Sequence, residues 1–141
     1  ALAERATALA ASLKPQEKCT VLWALASLYV EHHGSFHAVA AEATKELKDF
    51  VSQGLSIIVW AFARLGITDL GLFRAVAEEA RSKMVALTTQ ELSNLAWAFA
   101  TTAVQEPGLL RRVSGELVAK VRGAAAEDHS RTSLTKLAVD I

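Results

Sequence analysis

One cysteine, two prolines, one internal methionine and 6% aromatic residues leave this 141-residue chain few of the parts that specialised chemistry needs. A lone Cys19 excludes an internal disulfide and a cysteine-rich metal site, and leaves the redox compartment open. Net charge is missing too. Fifteen Lys and Arg balance fifteen Asp and Glu, so the positive field of a protein that grips nucleic acid mainly through phosphates is not expected. No apolar run approaches the roughly 18 to 20 residues that cross a bilayer. The nearest, Leu55–Ala63, ends at Arg64 after nine residues and reads as a buried helix. The chain opens without methionine and shows no recognisable signal or transit peptide. A processed protein, an excised segment and part of a longer polypeptide all stay open.

What is present is a 52% hydrophobic, alanine-rich chain with 21% charged residues, a mixture suited to closely packed helices with small residues at their contacts. Shifted against itself by 37 residues, it places Trp23 on Trp60 and Trp60 on Trp97, which are all its tryptophans. Gln16, Gln53 and Gln90 superpose in the same register, as do Gly34, Gly71 and Gly108, and Glu42, Glu79 and Glu116. Three copies without an insertion point to a repeat architecture. The expected fold is all-α: an α-solenoid of antiparallel helix pairs with a 37-residue repeat and about eight helices in a single domain over 1–141. Its parts are a leading half-repeat at 1–13, repeats at 14–50, 51–87 and 88–123, and a capping half-repeat at 124–141.

Within each repeat, apolar residues recur at helical spacing. Lys18, Val21, Leu22, Leu25 and Leu28 share one side of a first helix over 16–29, and Phe36, Val39, Ala43 and Leu47 mark a second over 36–48. Leu55, Ile58, Val59, Phe62 and Leu65 answer with Phe73, Val76, Ala80 and Met84; Leu92, Leu95, Ala96 and Phe99 answer with Leu110, Val113, Leu117 and Val121. Pro15 suits a first helical turn, Gly66 suits a C-terminal cap, and Thr89 suits an N-cap. Arg122–Asp128, with Gly123, reads as an interruption before a final helix over Ser130–Ile141 that uses Leu134, Leu137 and Ile141.

Function has to be sought on the faces. The repeated Trp-Ala pair reads first as packing, with Trp23, Trp60 and Trp97 as structural framework and direct ligand stacking as the alternative. Gln16, Thr20, Trp23 and Ser27 share one face of their helix, followed by Gln53, Ile57, Trp60 and Arg64, then Gln90, Asn94, Trp97 and Thr101. Cys19, Ser56 and Ser93 lie beside them. A constant scaffold presenting a changing side chain once per repeat would look like this, and so would a solvated or protein-contacting face. The second helices contribute His37, Arg74 and Arg111, with Arg112, Lys120 and Arg122 making the last the most basic. Such a column suits phosphate or an acidic partner, or plain solvation.

No metal site or cofactor is expected. His32, His33 and His37 have neither the HExxH spacing nor a ligand set, and Asp69, Leu70, Glu106 and Pro107 replace the first two in later repeats. No nucleophile–base–acid arrangement and no glycine-rich phosphate loop occurs, so catalysis is not expected.

Gln53–Gly66 and Gln90–Ala100, above all ELSNLAWAFA, resemble the first helix of octotricopeptide repeats, helical units of about 38 residues, and the helical regions of organellar proteins carrying RAP or FAST-kinase-like domains. The resemblance covers Lys14 to Gly123. It implies a non-catalytic chloroplast or mitochondrial protein that binds or stabilises organellar RNA within a larger ribonucleoprotein assembly. Trp60-Ala61-Phe62-Ala63 and Trp97-Ala98-Phe99-Ala100 would then be framework, and Cys19, Thr20, Ser56, Ile57, Ser93 and Asn94 RNA-facing. Here the repeat is 37 residues and the proline-rich signature of many family repeats is missing. A scaffold or accessory subunit of an organellar complex, such as a photosystem or respiratory complex, is the alternative, and peripheral association with a membrane complex stays open.

Overall fold

The structure, a computed structural model, describes residues 2–139, with side chains through residue 129. It holds seven α-helices: α1 (Leu2–Leu9), α2 (Pro15–Ser27), α3 (His33–Lys45), α4 (Ser52–Arg64), α5 (Leu70–Lys83), α6 (Thr89–Thr101) and α7 (Pro107–Val139). Single 3-10 turns at Leu47–Asp49 and Met84–Ala86 lead into α4 and α6. Among the described residues there is no strand.

The helices form two layers. α4 packs between α2 and α6, while α3 touches α1 and α5, and α5 touches α7. Apolar residues of both layers meet between them. There Phe36, Phe62, Phe73 and Phe99, all fully buried, form an edge-to-face chain with ring centroids 5.0, 6.5 and 5.2 Å apart. Each pair adds about 0.5–1.5 kcal/mol to the burial of its rings. Gly54 lets α4 approach α2, because a Cβ there would meet Cys19 Sγ at 3.0 Å and a Phe50 ring carbon at 3.2 Å.

Local chemistry sets the helix ends. α6 opens in a reciprocal capping box: the Glu91 amide donates to Thr88 Oγ1 at 3.2 Å and the Thr88 amide donates to Glu91 at 2.9 Å. The cap is therefore Thr88, one residue before the Thr89 expected from sequence. Asp69 caps α5 by accepting from the Leu72 amide at 2.9 Å. α4 closes on Gly66 at φ 67°, with Gly66 donating to Ala63 O and Ile67 to Phe62 O, the paired bonds of a Schellman ending. α2 ends in the same way through Tyr29 at φ 53°, which donates to Ala26 O while Val30 donates to Leu25 O. α2 accordingly stops at Ser27, and Leu28, placed on the buried stripe by sequence, is 68% exposed.

The far end also departs from expectation. No break occurs at Arg122–Asp128; α7 continues through it to Val139, giving seven helices among the described residues rather than about eight. An isolated Gly costs only about 1 kcal/mol in a helix interior. Gly123 is flanked by Val121-Arg122 and Ala124-Ala125-Ala126, with no proline to force a stop. The side chains of Leu134 and Leu137, and Ile141 altogether, lie outside the described residues. No helix among the described residues is long and apolar enough to cross a membrane.

Candidate nucleic-acid interface

The first layer carries a groove of about 570 Å³ across α2, α4 and α6, lined by Trp23, Gln53, Ser56, Ile57, Trp60, Thr88, Gln90, Glu91 and Asn94. A smaller recess of about 250 Å³ continues it between α2 and α4, lined by Gln16, Cys19, Thr20, Trp23, Gln53 and Ile57. The face read from sequence thus gathers on one side of the molecule. Its makeup is neutral: amides and hydroxyls around indole rings, with Glu91 the one ionised group in the larger groove's lining.

Two residues placed on this face are held inside it. Cys19 is 1% exposed, its thiol directed to Gly54 O at 3.5 Å, and burial pushes the thiol up to about 12. Ser56 is equally buried and donates to Gln53 O at 2.9 Å. Cys19 stands at the α2–α4 contact that Gly54 makes close, and the burial of both side chains leaves neither free to meet a partner as expected from sequence. Ser93 is exposed, but its hydroxyl donates to Thr89 O at 2.8 Å. Ser27 and Thr101, at the C-terminal ends of α2 and α6, line neither recess.

The tryptophans also differ from the packing expectation. Trp23 is 52% and Trp97 44% exposed, while Trp60 is half-buried against the core. Beside Trp60, the Arg64 guanidinium lies between two rings, 5.3 Å from the Trp60 centroid and 4.6 Å from that of Tyr29. Tyr29 carries no sequence signal for this position. Its place follows from the left-handed turn after α2. Thr88 and Glu91 do carry a sequence signal, because Thr-x-x-Glu before an apolar run is a readable cap.

The basic column lies elsewhere. Arg74 stands exposed on α5 and Arg111 and Arg112 on α7, in the second layer, and none of the three lines the groove. His37, on α3, faces Asp69 at 3.3 Å. Lys120 is used internally, donating to Val85 O at 3.0 Å and pairing with Glu116 at 3.4 Å. Among the described residues no three His, Cys, Asp or Glu gather to hold a metal ion.

Residues 1–136 match the family described as RNA-editing substrate-binding complex 6 protein. The chain belongs to that family. The match spans all of Lys14 to Gly123, on which the octotricopeptide resemblance rested, and corrects it. Part of the ELSNLAWAFA pattern has a general physical origin: Leu92, Leu95, Ala98 and Phe99 are its buried positions, at the spacing that any amphipathic helix uses. The family description brings RNA and companion subunits as partner classes, and no catalysis. The chain matches no curated protein.

Proposed function

We propose that the chain is a non-catalytic subunit of an RNA-editing substrate-binding complex whose α2/α4/α6 face meets RNA. The observation that carries this reading is the neutral, indole-lined groove on a member of that family. The mitochondrion, not the chloroplast, is the organelle that goes with the family, and a photosystem partner falls with the chloroplast. Gln16, Thr20, Gln53, Ile57, Gln90 and Asn94 are the contacts, with Arg64 beside them. The scaffold is a solenoid with a 37-residue period, its units at 14–50, 51–87 and 88–123. Supporting this, the first helices begin at Pro15, Ser52 and Thr89, the 3-10 turns at Leu47 and Met84, and the left-handed residues fall at Tyr29, Gly66 and Ala103. Ultraviolet crosslinking of the chain to single-stranded RNA, followed by peptide mapping, tests it. Crosslinks should fall in α2, α4 and α6; crosslinks confined to α5 and α7 would move the interface to the arginine column.

A second contact, to protein, has its own support. On α4, Ser56, Val59 and Ala63 are buried, whereas their counterparts on α6, Ser93 and Ala100, are exposed and Ala96 is half-buried. Val118 and Val121 on α7 are exposed at the same end. This edge continues the α4–α6 contact and fits a helix pair of a companion subunit. Ala100→Arg with Val121→Glu should release that subunit while RNA binding persists; loss of both together would argue for misfolding instead.

A further inference from the structure

We propose that the tryptophan column is a stacking platform for the bases of single-stranded RNA, and that this face holds RNA by its bases rather than by its phosphates. The proposal rests on the RNA reading of the same face and specifies how that face works. Trp23 leaves half of a large apolar ring in water at the mouth of both recesses, and Trp60 stands one helix further along the larger one. Such rings accept any base face. Around them Gln53, Gln90 and Asn94 each offer a donor and an acceptor, the combination that unpaired Watson–Crick edges can meet.

Phosphate recognition does not fit this groove. Its one ionised lining residue is Glu91, a carboxylate already committed to capping α6, and a carboxylate repels phosphate. The nearby cation, Arg64, is held between Tyr29 and Trp60, where it extends the stacking surface. Adjacent packed helices stand about 8–10 Å apart, well beyond the roughly 3.4 Å between stacked bases. Bases on neighbouring rings must therefore be splayed, which an unpaired strand permits and a duplex does not.

The test is titration of the chain with a labelled oligouridine and with an abasic ribose-phosphate chain of equal length, at two salt concentrations. The expected result is binding of the oligouridine, quenching of indole fluorescence, and loss of binding by the abasic chain. Trp23→Leu should weaken binding roughly 5- to 100-fold, and Trp23→Phe should recover part of it, which a merely misfolded variant would not do. Replacing Arg74, Arg111 and Arg112 together with Gln should change little. With about one phosphate contact, affinity should fall only about threefold from about 50 to about 250 mM salt, against roughly 90-fold for four contacts. Equal binding of the abasic chain, or loss with the arginine variant but not with Trp23→Leu, would overturn the stacking platform while leaving RNA binding in place. Failure of any RNA to bind the unaltered chain would overturn the RNA reading itself. A proline-rich peptide that quenches the indoles when RNA does not would give the groove to a protein segment and overturn the proposal.

Discussion

Lys18 and Lys83 serve the same carbonyl position from opposite layers. Lys18, in α2, is buried where Leu55 and Leu92 stand in the following copies; its ammonium pairs with Glu46 and donates to Leu13 O at 2.6 Å. Lys83, in α5, occupies the place of Glu46 in the next unit and donates to Phe50 O at 2.6 Å, the carbonyl 37 residues after Leu13. The first unit has exchanged the source of the ammonium and placed a carboxylate where the later units carry Lys83 and Lys120.

That exchange predicts non-additive stability. Glu46→Lys alone leaves the buried Lys18 ammonium facing a second cation and should cost about 2–4 kcal/mol. Lys18→Leu added to it restores the arrangement of the later units and should recover all but about 1 kcal/mol. Urea unfolding of both variants measures this. A double variant no more stable than the single one would show that the two positions are not exchanged.

The left-handed residues after α2, α4 and α6 predict a second set of changes. Only Gly66 adopts its positive φ without a side-chain penalty; Tyr29 and Ala103, at φ 53° and 54°, bear it. Ala103→Gly should therefore raise stability by about 0.5–1 kcal/mol, and Gly66→Ala should lower it by about 1 kcal/mol. No neighbour lies within 4 Å of a Cβ built on Gly66, so backbone strain alone is read out. Thermal unfolding midpoints moving in opposite directions are the expected result.

The helices were legible because Leu55, Ile58, Val59 and Phe62, and again Leu92, Leu95 and Phe99, recur at the three-and-four spacing of a helical face. Sidedness was less so. α4 is apolar almost all round, so its pattern could not say that Trp60 lies toward a groove, or that Trp23 and Trp97, one copy away on each side, lie in water. Cys19 and Ser56 looked like surface residues because they are small and polar; Cys19 is buried by the approach that Gly54 allows, between helices 35 residues apart, and Ser56 by the place of α4 between α2 and α6. Tyr29 carried no sign of its left-handed backbone, since paired end bonds, not side-chain preference, impose it.

The buried thiol makes a pH prediction. Burial pushes Cys19 from the ordinary 9.0 up to about 12. Above pH 9 the unfolded chain loses this proton while the folded chain keeps it, so the unfolded state binds fewer protons and stability falls as pH rises. The contribution is whole below about pH 9 and shrinks by about 1.4 kcal/mol per pH unit toward 12. Cys19→Ala lacks this term, so its unfolding free energy should decline less steeply than that of the unaltered chain over the same range. Parallel slopes would mean the thiol is not protected.

Gly123 offers a test of why α7 does not break. It is exposed, and a Cβ built there meets nothing within 4 Å, so substitution changes backbone preference and little else. Gly123→Ala should add about 1 kcal/mol to helix stability and slow amide exchange over residues 120–127. Gly123→Pro should divide the segment into the two helices expected from sequence, because it deletes one amide donor and its ring crowds the carbonyl of Ala119. The packing of Leu109 and Val113 lies several turns before the substitution, so the two-layer core should survive either change, leaving the urea midpoint of the core nearly constant. A Gly123→Pro variant that instead unfolds the α5–α7 contact would show that the unbroken helix is required by the core rather than allowed by local sequence.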